Sequence, residues 1–225
     1  MLVDAHCHVP HGAQRSFVCL RPDAVIPSNP SLVRFYGYHP WEAAQVDDAA
    51  LSLLRARLES DPDAGVGEIG LDRLRERDIS DSMRRAFASQ LEIAAELGRP
   101  VVLHGAKCWG RVVAACRPFA ERIPTFLFHG FSRSGGLLGD IEKINGFVSV
   151  GPSVLNDHAV NYRSLVRIIP ASMLLVESDA TAENASALPS LSDILGKTAE
   201  IRGISAAELE KMTEMNASRF AHLHT

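Results

Sequence analysis

The sequence predicts an α/β fold, a (β/α)8 TIM-type barrel trimmed of helices near its N-terminus. Three observations carry that expectation. Short apolar, β-branched-rich runs recur along the chain, amphipathic helix-like stretches separate most of them, and side chains able to bind metal fall at the ends of the runs. A chain of 225 residues with 46% apolar content suits one domain, 1–225, with a core large enough for a single barrel.

The first run, MLVDAHC, is followed after a handful of residues by SFVCL. So short a connection cannot hold a helical crossover. RPDAVIPSNPSL carries three prolines and reads as loop before VRFYGY. The amphipathic AALSLLRARLES then leads to AGVGEIG. DSMRRAFASQLEIAAELG starts from a cap at Asp81 and stops at Gly98, with Pro100 opening PVVLH. WGRVVAACRPFAERI is the helix before TFLFH; GFVSVG and MLLVESD complete eight strands, and SAAELEKMTEMNASRFAHL closes the chain as a capped helix. No internal repeat, low-complexity segment or linker divides the sequence.

The totals exclude some classes. A net charge of −4 and a pI near 6.1 leave no global positive field for nucleic acid, so such contact must be local, through a few cations and bound metal. Cys7, Cys19, Cys108 and Cys116 form no CxxC pair and are expected as free thiols in a reducing compartment. Neither a leader-like N-terminus nor a bilayer-length apolar run is present, so a cytoplasmic protein with no membrane contact and no obligate protein partner is expected.

The chemistry gathers at the strand ends. Strand alternation puts Asp4, His6 and His8 on one face, and an apolar interior cannot satisfy two imidazoles and a carboxylate where a metal ion can. The third run ends at His39, the fourth at Glu68, the fifth at His104, the sixth at His129 and the eighth at Asp179. Barrel enzymes build their sites on this carboxyl face. His6, His8, His104, His129, Glu68 and Asp179 suffice for two divalent ions, which polarise a scissile group and generate hydroxide at neutral pH. Glu68, among the glycines of GVGEIGLD, is the expected bridge. Four histidines favour zinc, manganese or nickel over magnesium, which prefers oxygen ligands.

These runs together resemble the TatD family of metal-dependent deoxyribonucleases, within the amidohydrolase-like barrels. VDAHCH is similar to the family's Asp-x-His-x-His opening, YGYHPWEA to Gly-x-His-Pro-His, and GEIGLD to Gly-Glu-Ile-Gly-Leu-Asp. QLEIAAELGRPVVLH, FHGFSRS, LLVESDA and MNASRFAHL resemble later family segments in the same order, over nearly the whole chain. The resemblance implies that His6, His8, Glu68 and Asp179 hold one ion and Glu68, His104 and His129 the other. The substrate rim departs from the family. Trp41 replaces its second histidine, Arg73 a frequent tyrosine, Ala106 and Lys107 the place of an arginine, and ATAENASALPS its substrate loop.

Other residues carry two readings. Asp4 either orients a ligand histidine from behind or ends a strand. Asp72 either anchors a histidine or caps the next turn. His39 is expected as a donor to substrate or water rather than a ligand. Lys107 and Arg133 lie past ligand strands, placed to hold a phosphate or simply solvated. Trp41 either stacks on a base or packs beside Pro40. Cys7 is expected to pack against a helix, and His11, His158, His222 and His224 to lie on the surface. The leading expectation is a two-metal hydrolase of phosphodiesters acting at DNA ends, with Asp179 accepting the proton of the attacking water. The alternatives are a barrel hydrolase of an amide, lactone or aminoacyl ester, and a metal-holding binding module.

Overall fold

The computed structural model describes residues 1–25, 29–75, 77–132 and 135–222. Eight strands, β1 (Val3–Cys7), β2 (Arg15–Leu20), β3 (Leu32–Tyr36), β4 (Gly65–Gly70), β5 (Val101–His104), β6 (Phe126–Phe128), β7 (Gly146–Val150) and β8 (Leu174–Val176), pair in sequential order. Every pair is parallel. The eight expected runs are the eight strands, and they form a nearly closed (β/α)8 barrel. Its seam is joined where Asp179 N donates to the His6 carbonyl at 3.1 Å.

Among the described residues seven helices pack outside: α1 (Asp48–Ser60), α2 (Asp81–Glu96), α3 (Trp109–Cys116), α4 (Leu138–Glu142), α5 (Val160–Ile168), α6 (Leu191–Arg202) and α7 (Ala206–Phe220). None follows β1, and the described residues between β2 and β3 hold none, so the front of the barrel is trimmed. Three details differ from expectation. The cap of α2 is Ser80, whose hydroxyl accepts from Met83 N at 3.2 Å, and Asp81 is the first helical residue. Helix α3 stops at Cys116, with Arg117–Phe119 a 3-10 turn, because Pro118 lacks the N–H the next turn needs. Helices α4 to α6 were not anticipated. Only α6 is plainly written, by the Ser190–Asp193 capping box and by Leu191, Ile194, Leu195 and Ala199 at helical spacing.

The barrel interior explains how the site is aimed. Val3 and Ala5 of β1 share an inner cluster with Phe17, Phe35, Val102 and Leu127, so strict alternation would turn His6 outward. The β1–β2 register shifts between Asp4 and Cys7, and the shift brings His6 round to Cys19 of β2. A second shift, between Val66 and Ile69 of β4, falls on Glu68. Beside it a Cβ on Gly67 would lie 2.7 Å from Val102 Cβ, and one on Gly70 would lie 2.0 Å from the His104 carbonyl oxygen. Glycine is required at both. At the other mouth the last residue of α7 sends its side chain into the barrel, with the Phe220 ring stacked on Phe35 at 5.6 Å and touching Phe17 and Phe147. Thr125 Oγ1 donates to the Phe220 carbonyl at 2.6 Å and ties that plug down.

The four cysteines are buried and form no disulfide. Cys7 packs with Val18 and Ala180, against the segment after β8 rather than against a helix. Among the described residues no helix is long and apolar enough to cross a membrane.

Candidate metal centre

Glu68 stands at the middle of the site. Its Oε1 lies 2.6 Å from His104 Nδ1 and 2.6 Å from His129 Nε2. Its Oε2 lies 3.3 Å from His8 Nε2 and 3.5 Å from His6 Nε2. One carboxylate therefore faces two groups of imidazoles, one through each oxygen. Asp179 Oδ1 is 3.5 Å from His6 Nε2, on the His6–His8 side, and half of its side chain is open to solvent. All six residues expected as ligands meet at the carboxyl end of the barrel; His8, Glu68, His104, His129 and Asp179 wall a cleft of about 580 Å3 with His39, Trp41 and Thr181, and His6 is buried behind them.

The partners behind the imidazoles decide which nitrogen faces the centre. Asp72 Oδ2 lies 2.8 Å from His104 Nε2, so that nitrogen carries the proton and Nδ1 presents its lone pair. Glu177 Oε1 lies 3.6 Å from His129 Nδ1, a charge contact too long for a hydrogen bond, and Ser149 Oγ donates to its other oxygen; His129 Nε2 faces Glu68. Cys19 Sγ lies 3.5 Å from His6 Nδ1. Burial pushes the Cys19 thiol well above its ordinary range, so the sulfur stays protonated. His6 Nε2 is buried with no hydrogen-bond partner, an unsatisfied ring nitrogen aimed into the centre.

His39 is different. It caps the 3-10 turn Pro40–Gln45, its Nδ1 accepting the Trp41 backbone N–H at 3.2 Å. Burial pushes its imidazole below the ordinary range and keeps it neutral, so its one proton resides on Nε2. That N–H points to Glu68 Oε1 at 3.5 Å and His104 Nδ1 at 3.4 Å. Although Nε2 lies among the donors, it is a proton donor there and not a lone pair for an ion.

The electrostatics fit a cation. Burial opposes charge on every group, yet the imidazoles hold Glu68 and Asp179 below the usual carboxylate range. In turn Glu68 raises His8 and His129, and Asp72 with Glu68 raises His104, against the same burial. The proton such an imidazole would take sits where a divalent ion would bind, and the ion would replace it. Three groups of donors each lie within 4.8 Å of one another: His6, Glu68 and His129; His6, His8 and Asp179; His39, Glu68 and His104. Apart from His39, which stands among them as a proton donor, these residues fit divalent metal.

Several expectations change here. Asp4 touches no imidazole. Its carboxylate accepts from Ser178 N at 2.9 Å and Ser178 Oγ at 2.5 Å, and from His6 N at 3.4 Å, so it braces the turn that carries Asp179. The shift in β1 is the reason, since it parts Asp4 from the face of His6, and burial pushes the Asp4 carboxyl up to about 7. Asp72 fulfils both of its readings, holding His104 and capping Leu74 N at 2.5 Å. Trp41 donates its indole N–H to Asp72 at 3.0 Å, and the Arg75 guanidinium covers its ring at 3.8 Å. Lys107 is exposed on a hollow that adjoins the cleft, and Arg133 lies outside the described residues. His158 and His222 are exposed, His11 meets the Pro189 carbonyl, and His224 is also outside the described residues. Glu177 and Cys19 went unread. A carboxylate directly after the apolar run LLV and two residues before Asp179 is the available signal for Glu177.

Comparison with known proteins follows the same line. The family model described as TatD related DNase matches residues 22–222. The 3'-5' ssDNA/RNA exonuclease TatD of Pectobacterium carotovorum is 31% identical over 199 residues, covering 83% of this chain and 76% of its own. That of Pectobacterium atrosepticum is 30% identical with the same coverage. Among solved structures, the TatD homologue YjjV of Escherichia coli superposes with a TM-score of 0.82 at 22% identity, covering 99% of this chain and 98% of its own. A TatD family hydrolase of Entamoeba histolytica gives 0.77 at 14% identity, covering 97% of each. With its barrel, its strand-end donors and these relatives in agreement, the chain belongs to the TatD-related DNase family.

Proposed function

We propose that this protein is a metal-dependent phosphodiesterase that removes nucleotides from an end of single-stranded DNA or RNA. The observation that carries the reading is Glu68, whose two oxygens each face a separate set of imidazoles. The names of the curated relatives supply the substrate class. His6, His8 and Asp179 would hold one divalent ion, His104 and His129 the other, and Glu68 would bridge them. Zinc, manganese and nickel suit the imidazoles, with magnesium the poorer match. When bound, such ions supply Lewis acidity and lower the pKa of water toward neutrality.

The chain's own residues do the rest. His39, fixed as the Nε2–H tautomer by its cap, donates to a phosphate oxygen entering the cleft. Asp179, half-exposed beside His6, accepts the proton of the attacking water. Asp72 keeps His104 in the tautomer its role requires, and the Glu177 carboxylate stands behind His129. The test is to incubate the manganese-loaded protein with single strands labelled at either end, alongside simple esters and amides. Stepwise release of mononucleotides from one end is the expected result. Turnover of an ester or amide with no cleavage of any phosphodiester would contradict the reading.

A further inference from the structure

We propose that Arg73, Arg77 and Lys107 form a second phosphate-holding surface, continuous with the metal cleft, that grips the strand beyond the scissile linkage. The proposal rests on the phosphodiesterase reading and adds to it that longer strands are held better than short ones. Contiguity is the first argument. His104, His129 and Asp179, which wall the cleft, also wall a hollow of about 390 Å3 that reaches Lys107 and Ser132. Lys107, Trp109 and Ser132 in turn wall a further hollow, of about 540 Å3, whose other lining residues are Arg73 and Arg77. A strand leaving the metal ligands along these walls meets the three cations in succession.

Charge is the second argument. Arg34, Arg55, Arg117, Arg122 and Arg163 each face a carboxylate. Among the described residues Arg73, Arg77 and Lys107 face none, though the chain carries a net charge of −4. Three cations with no carboxylate partner among the described residues line one hollow, a lining that suits an anion.

Backbone geometry is the third. Lys107 has φ of 56°, in the left-handed region that a lysine enters at a cost and a glycine does not. The loop is tied by Arg73 N to the Ala106 carbonyl at 3.0 Å and Cys108 N to the Gly105 carbonyl at 3.1 Å, with Arg73 Nε on the Arg77 carbonyl at 3.1 Å. The turn thus presents an ammonium group to the hollow from a position where the backbone alone would favour glycine. Sequence reading limited the grip to Lys107 and Arg133; folding brings the β4–α2 loop beside the β5–α3 loop and adds two arginines.

The test uses the manganese-loaded full chain and oligothymidylates with phosphorothioate linkages, about 2 to about 12 nucleotides long, with binding followed by fluorescence anisotropy at several salt concentrations. Affinity should rise with length over the first few nucleotides. The double variant Arg73→Ala/Arg77→Ala should bind the longest probe about 10-fold more weakly, and its slope of log affinity against log salt should be shallower by about 1.4. Arg73→Lys/Arg77→Lys keeps the charge and should keep most of the slope, which separates charge from a folding defect. Affinity that does not grow with length, or an unchanged slope in the alanine variant, overturns the proposal even if phosphodiesters are cleaved. Length-dependent binding lost with the arginines, without cleavage of any strand, supports the surface and sinks the nuclease reading. No binding of any probe overturns both.

Discussion

At the scale of single residues, groups that hold metal are distinct from groups that hold a proton. Glu68 faces both sets of imidazoles, so Glu68→Ala should remove metal and turnover together. His39→Ala should retain metal and lose turnover by about 100-fold, in the range for one positioned proton donor. Metal analysis of both purified variants beside kcat decides this, and equal losses with metal unchanged in both would deny the bridge. Glu177→Gln removes the charge behind His129 and should weaken metal affinity by about 10- to 100-fold, read by competition with a chelating dye. The ligands were legible because imidazoles and carboxylates at the ends of apolar strands have no other ready explanation. Glu177 was not, since two carboxylates follow β8 in close succession and sequence does not say which faces the centre. Asp4 was misread because a register shift leaves no mark on alternation.

At the scale of elements, the strands were more legible than the helices. A buried parallel strand is a short apolar run bounded by polar residues, and all eight stood out. Helices α4 and α5 hold only five and nine residues, too few turns to establish a period. Helix α7 does more than cover the barrel. Its Phe220 fills the mouth opposite the site, among Phe17, Phe35 and Phe147. Phe220→Ala should cost about 3–5 kcal/mol of stability, seen as a lower denaturant midpoint, because no neighbouring ring can close the void. Its metal ligands are remote from that void, so metal content at low temperature should stay near the wild-type value. Loss of metal without loss of stability would show that the plug was misassigned.

At the scale of the whole molecule, fold and chemistry share one seam. Asp179 N on the His6 carbonyl and Asp4 on Ser178 join the first strand to the last where the donors meet. Metal should therefore stabilise the barrel as well as activate it. Dialysis against a chelator should lower the melting temperature, with about 4 kcal/mol at stake where free metal stands 1,000-fold above Kd. Restored metal should recover both stability and turnover. The charge balance predicted a chain that grips little beyond its pocket; the arginines gathered beside Lys107 by folding could not be seen in that total. The most direct test of the central claim is metal stoichiometry measured alongside turnover of a single-stranded oligonucleotide, in the wild-type protein and in Glu68→Ala. The account predicts about two ions per chain and metal-dependent release of nucleotides in the wild type, with both lost in the variant. A Glu68→Ala protein that keeps its full metal content and still shortens the oligonucleotide would contradict it.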